Sequence, residues 1–224
     1  MTRTLLVVAK APVPGLAKTR LIGTLTAQEA AELASAALLD TLYSSLAVPR
    51  ARVVVAVTGD FRQAMRCEEL LPALRHCAVV EQRGSTFVQR LVAAHADAGA
   101  FGGPVLQVGM DTPQLTEPLL DASFDTLADT DAVLGRAEDG GWWALGLHDP
   151  GHAAALASVT MSTDRTGDDT LAALARRGVA VALLPTLVDV DTWDDARHVA
   201  GIAPASRFAA AVALVRTHPA RGVA

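Results

Sequence analysis

Thr4-Leu-Leu-Val-Val-Ala9 runs straight into Lys10-Ala-Pro-Val-Pro-Gly-Leu-Ala-Lys-Thr-Arg20. A short apolar run bounded by Lys, Pro and Gly reads as a buried strand. The loop after it carries stiffening prolines (Pro12, Pro14), a glycine (Gly15) and the cations Lys10, Lys18 and Arg20. Gly15 permits close backbone approach, and cations beside exposed backbone amides make a cradle for a di- or triphosphate. The bland alternative is a Pro/Gly connection whose cations are solvated; the position after a first strand favours phosphate binding. A Walker A loop is excluded because Ala17 stands where it needs Gly before the Lys, and no Gly-x-Gly-x-x-Gly occurs.

Outward from this strand, the pattern alternates. Thr26 and Glu29 form a capping-box signature that opens a long Ala/Leu-rich helix to Leu46. Strands are predicted at Arg52–Val57, 78–80, Pro104–Val108, Ala132–Leu134, Trp142–Leu147 and Ala180–Leu184. Helices are predicted at Phe61–Leu71 (closed by Pro72), Thr86–Ala98, Pro118–Leu127, Asp168–Arg177, Thr192–Val199 and Ser206–Val215. Such alternation implies an α/β fold with a mostly parallel sheet covered on both faces. A single domain over 1–224 is expected, with 216–224 a loosely held tail.

Composition narrows the function. Of the 224 residues 51% are hydrophobic but only 4% aromatic, so the core must be built from Ala, Val and Leu. A net charge of -5 argues against a nucleic-acid partner, and any anionic ligand needs a local cation cluster. No apolar run reaches the roughly 20 residues of a membrane span. The run Leu5–Ala9 is too short for a signal-peptide core, so a cytoplasmic protein is expected. Cys67 and Cys77 are expected as reduced core thiols, and a homodimer is compatible with the sequence.

Further candidates lie at strand ends. Asp111, in Gly109-Met-Asp-Thr-Pro-Gln-Leu115, follows a strand and suits Mg²⁺ or Mn²⁺, since Thr116 can cap the next helix in its place. In Glu138-Asp139-Gly140-Gly141 the glycines could expose bare backbone to a ligand, although taken alone Asp-Gly reads as a hairpin turn. Asp189 and Asp191 follow the last strand, whereas Asp194 and Asp195 are helix-start acids. Either Asp189 or Asp191 would complete a two-carboxylate metal site with Asp111. Trp142 and Trp143 are expected to divide between site and core.

Taken in order, PGLAKTRL (14–21), GMDTPQL (109–115), EDGGWWALGL (138–147), MSTDRT (161–166) and LLPTLVDVDTWDD (183–195) resemble bacterial GT-A-fold transferases known as radical-SAM/selenodomain-associated or arsenosugar-biosynthesis glycosyltransferases. The resemblance runs from Leu5 to about Val199. It is more distant to 2-phospho-lactate guanylyltransferase and the molybdenum-cofactor nucleotidyltransferases. It implies a Rossmann-like nucleotide-diphospho-sugar transferase fold, with Lys18 and Arg20 matching a phosphate loop, Asp111 the metal-binding Asp and Asp191 the late acid. It also implies that Asp139, Gly140 and Gly141 form a turn on the sugar or acceptor side, with Ser162 and Thr163 in a Ser-Thr motif. Trp142 stands where the family often has Tyr, and Met161 where Trp is frequent. The resemblance implies a metal-dependent glycosyltransferase with a nucleotide-sugar donor and a small-molecule acceptor, Asp111 and Asp139 being its catalytic acids. A nucleotidyltransferase releasing pyrophosphate and a non-catalytic nucleotide-binding module are the alternatives.

Overall fold

The computed structural model describes residues 3–215, so the expected tail at 216–224 lies outside the described residues. Strand and helix alternate as β1 (Arg3–Lys10), α1 (Ala27–Ala47), β2 (Ala51–Thr58), α2 (Cys67–Leu74), β3 (Ala78–Glu81), α3 (Phe87–Gly99), β4 (Val105–Gly109), α4 (Glu117–Ala128), β5 (Ala132–Ala137), β6 (Trp142–Leu147), α5 (Thr166–Ala175), β7 (Val181–Leu187), α6 (Trp193–Ile202) and α7 (Arg207–Leu214). The strands make one seven-stranded sheet in the order β3-β2-β1-β4-β6-β5-β7. Only β6 runs against its neighbours β4 and β5. The reversal follows from the Glu138–Gly141 connection, which is far too short for the crossover a parallel strand needs. The fold is thus Rossmann-like α/β, mostly parallel, with helices on both faces.

One face of the sheet packs α1, α2 and α4 through Leu38, Leu39, Leu42, Leu70, Leu120 and Phe124. The other packs α3 and α5, with Leu91, Ala94 and Leu174 buried. Helix α1 is buried along most of its length because it is covered twice, by the sheet and by α6 and α7 through Leu33, Val199 and Phe208. Its Thr26–Glu29 capping box forms as expected.

Some local expectations are corrected. The predicted helix Phe61–Leu71 splits into a 3-10 turn at Phe61–Gln63 and the helix α2, separated by Arg66 at φ 51. Pro72 lies inside α2 and does not close it. Burial of Leu70, Ala73 and Leu74 holds the chain helical at the loss of one backbone bond. A 3-10 segment at Pro150–Ser158, unforeseen because its composition has no strand or helix period, packs Ala153, Ala155 and Leu156 into the core. Cys67 and Cys77 are free but only partly buried.

On α3, His95 is fully buried. Burial pushes it down from 6.5 to about 4, with Gln107 acting the other way. It is therefore neutral in the folded state at neutral pH, while the unfolded chain takes up a proton below about 6.5. Stability from this group is complete above about 6.5 and is lost as pH falls toward about 4. The expected loss is about 3 kcal/mol. Denaturant unfolding of wild type and His95→Leu at both ends of this window checks it: the variant should lack most of the excess acid sensitivity.

Candidate active site

Register brings the strand-end residues together. In the β1–β4 pair Val8 faces Gly109, so Lys10 and Asp111 each lie two residues beyond a matched pair. In the β5–β7 pair Ala137 faces Leu187, so Asp139 and Asp189 do the same. Because these pairs are parallel, all four side chains emerge at one end of the sheet.

There they border a cavity of about 450 Å³. Its wall includes Lys10, Asp111, Asp139, Gly141, Ser162, Thr163 and Asp189 among the residues expected from sequence. Pro14, Gly15, Lys18, Arg20, Gly140 and Asp191 are not part of that wall. Lys18 nevertheless reaches the site from below. Its Nζ lies 2.8 Å from Asp111 Oδ2 and 3.9 Å from Asp191 Oδ1, and it donates to the Val190 carbonyl. The Lys18 backbone takes a left-handed φ of 46 to turn the side chain inward, leaving it 12% exposed. Arg20, 67% exposed, pairs with Asp191 from outside. The opening loop and the two acidic segments therefore meet. Gln114 adds a tie by donating to the Val188 carbonyl, fixing the loop after β4 against the segment after β7.

The carboxylates split into two groups. Oxygens of Asp139, Asp189 and Asp191 lie within 4.8 Å of one another, whereas Asp111 is held by Lys18. The sequence pairing of Asp111 with a late acid thus becomes a chain in which Lys18 joins Asp111 to Asp191, and both late acids join Asp139. Burial works to raise the Asp111 carboxyl, but the Lys18 charge and hydrogen bond, with a backbone bond, hold it below its usual value. Asp189 shows the opposite balance: burial first, then Asp139, Asp191 and Asp111, push it to about 6. Three hard oxygen donors under mutual repulsion suit a divalent cation such as Mg²⁺ or Mn²⁺, whose charge removes the repulsion.

The double glycine is a hairpin turn, and Asp139 accepts from Gly141 N at 2.7 Å. The space above Gly140 holds no ligand surface: a Cβ there would lie 1.9 Å from the Asp164 carbonyl oxygen. Glycine is required because the hairpin presses on the loop bearing Ser162 and Thr163, which Gly167 N ties to Gly140 O at 2.8 Å. That loop positions Asp139 near Asp189. As expected, Asp195 is a helix-start acid, accepting from Thr192 N at 2.7 Å. Trp143 is buried and donates to the Pro185 carbonyl at 2.9 Å, and the cavity wall includes both it and the less buried Trp142, so the expected division is only partial.

Several wall residues went unforeseen: Thr58, Gln82, Phe87, Arg90, Gln107 and Met110. Gln82 clamps the ends of β1 and β2, donating to Ala9 O at 3.0 Å and Ala56 O at 2.9 Å. A polar residue directly after a predicted strand was the available signal for Gln82. For Arg90 and Gln107, set among apolar residues of a helix and a strand, their interruption of the apolar pattern was the only one.

Among solved structures, a protein of Desulfovibrio desulfuricans G20 assigned as a nucleotide-diphospho-sugar transferase superposes with a TM-score of 0.77 at 26% identity, over 87% of this chain and 85% of that one. The CMP:2-keto-3-deoxy-manno-octonic acid synthetase complexed with CTP gives 0.58 at 10% identity, over 92% of this chain and 99% of that one. The Rv0371C protein of Mycobacterium tuberculosis H37Rv in complex with manganese gives 0.52 at 20% identity, over 89% and 98%. The fold is that of nucleotide-diphospho-sugar transferases. No curated protein is similar enough to count as a relative. Among the described residues no helix is long and apolar enough to cross a membrane. The family described as "Uncharacterized protein conserved in bacteria (DUF2064)" matches residues 41–163, which span β4, Asp111 and the Asp139 hairpin and make up more than half of the sequence, and the chain belongs to that family.

Proposed function

We propose that the chain is a metal-dependent glycosyltransferase that takes a nucleotide-diphosphate sugar as donor and a small molecule as acceptor. The observation that carries this reading is the Lys18 ammonium seated between Asp111 and Asp191, beside the Asp139, Asp189 and Asp191 carboxylates at the cavity mouth. A Mg²⁺ or Mn²⁺ held by these acids would supply charge neutralisation to the leaving diphosphate. Lys18 contributes a cation to the same phosphates, with Lys10 and Arg20 at the edges and Pro14 and Gly15 shaping the loop. Asp139, at the hairpin tip, orients the acceptor hydroxyl, and Gly141, Ser162 and Thr163 line its approach. The likeness to a protein assigned as a nucleotide-diphospho-sugar transferase supports the donor class. The single domain and the cytoplasmic setting expected from sequence, and the homodimer with which the sequence is compatible, belong to the same proposal.

A second reading, nucleotidyl transfer from a nucleoside triphosphate, is favoured by the number of acids. Asp111 together with the three clustered carboxylates provides donors for more than one ion, as in-line displacement at phosphorus uses. Incubation with Mn²⁺, a panel of nucleotide sugars and triphosphates, and a pool of hydroxylated and phosphorylated small-molecule acceptors separates the readings. Nucleoside diphosphate release is expected, pyrophosphate release establishes the second reading, and neither product from any donor defeats both.

A further inference from the structure

One part of the cavity wall has no role in the phosphate chemistry above. It is built from α3 and the start of β6. Arg90 lines it with its Nε buried and unpartnered, and Trp142 lines it with its indole Nε1 in the same condition. Trp142 packs against the same core cluster as Val88, Leu91 and Val92 of α3. Gln107, 3% exposed, borders the same cavity, and its Oε1 also has no partner.

These facts are not explained by packing. Val88, Leu91 and Val92 already supply the apolar contacts of this turn of α3, and an unbranched apolar side chain would fill the space of the Arg90 stem. Two of the cations near the acids are committed, Lys18 to Asp111 and Arg20 to Asp191, while Lys10 lines the cavity with no ion pair among the described residues. Arg90 makes no ion pair among the described residues, although Asp111, Asp139 and Asp189 line the same cavity. A guanidinium presents a planar fork of donors that matches a carboxylate or phosphate, and the Trp142 N–H adds another donor. The cavity that Asp111, Asp139 and Asp189 line therefore also holds unpaired donors, at Arg90 and Trp142.

We infer that Arg90 and Trp142 form an oxyanion pocket that selects an acceptor carrying a carboxylate or phosphate group. This inference rests on the transferase reading for the word acceptor, but the pocket itself does not depend on that reading. The anion would be anchored at α3 while its hydroxyl points toward Asp139, and a neutral analogue would leave the guanidinium unpaired. The pocket also accounts for discrimination, because buried donors left without an acceptor penalise the wrong ligand.

The test measures binding of glycerol 3-phosphate, glycerate and glycerol to the full chain by calorimetry, for wild type, Arg90→Gln, Arg90→Lys and Trp142→Phe. Wild type is expected to bind at least one anionic probe about tenfold or more tighter than glycerol, the effect of one charge-assisted hydrogen bond. Arg90→Gln is expected to abolish that preference, Arg90→Lys to keep part of it and Trp142→Phe to weaken it. Whichever of phosphate or carboxylate binds tighter identifies the group. Equal binding of charged and neutral probes to wild type, or a preference unchanged in Arg90→Gln, overturns the inference. Titration of the same proteins with nucleoside diphosphate and Mn²⁺ keeps the two ideas apart. Loss of the anion preference in Arg90→Gln with no nucleotide binding by wild type sinks the transferase reading alone, and nucleotide binding without any anion preference sinks the pocket alone.

Discussion

Lys18→Met is expected to tighten Mn²⁺ binding by the free protein while weakening nucleoside diphosphate binding and turnover. The opposite signs come from the dual position of Lys18. In the free protein its Nζ neutralises Asp111 at 2.8 Å and approaches Asp191 at 3.9 Å, so a divalent ion must compete with it. Unit charges about 4 Å apart interact by about 4 kcal/mol at an effective dielectric of 20. Removing the ammonium leaves the acids more repulsive and more welcoming to a cation. With a diphosphate present the same ammonium donates to phosphate oxygens, and its loss removes a charge-assisted bond of about 1.5–3 kcal/mol. Diphosphate affinity should fall about tenfold to a hundredfold. Paired Mn²⁺ and nucleotide titrations of wild type and variant check both signs; parallel weakening of both ligands would show that Lys18 only holds the loop in place.

Asp189→Asn is expected to reduce turnover by about a hundredfold or more, equivalent to ~3 kcal/mol of lost charge stabilisation, without destabilising the protein. Asp189 contributes one of the three clustered carboxylates, and its carboxyl is pushed to about 6 by burial and by Asp139, Asp191 and Asp111. A carboxylate raised in this way is unfavourable to the fold when ionised, so exchanging it for a neutral amide relieves repulsion at neutral pH. Metal affinity should fall while thermal stability without metal holds or rises. A variant that melts earlier and binds Mn²⁺ normally would mean that Asp189 is structural. Excess chelator should bring wild type to the same low activity, and readdition of Mn²⁺ should restore wild type but not Asp189→Asn.

The parts of this architecture legible in the sequence are those fixed by local physics. The run Thr4–Ala9 and the Thr26–Glu29 capping box act over a few residues, and both elements form where expected. The rule that parallel strands deliver ligands to their carboxyl ends was enough to select Lys10, Lys18, Asp111 and Asp189 as candidates. What the sequence concealed depends on pairing between distant strands. Asp139 joins the late acids because β5 and β7 are neighbours in register, although they are separated in sequence by β6 and α5. Arg90 and Gln107 border one cavity because α3 packs against β1 and β4, and the only local sign is that each interrupts an apolar pattern. The Gly140 requirement is likewise tertiary, since the atom that excludes a side chain belongs to Asp164.

The central claim is that the opening loop and the late acids make one site for a metal and a phosphate. Coupled ligands must affect each other's affinity equally, so Mn²⁺ titration with and without a nucleoside diphosphate is the most direct measurement. The account expects the nucleotide to tighten Mn²⁺ by about tenfold or more, a coupling of roughly 1.4 kcal/mol, and expects that gain to vanish in Lys18→Met and Asp189→Asn. Identical Mn²⁺ affinity with and without nucleotide, or coupling that survives both substitutions, would contradict it.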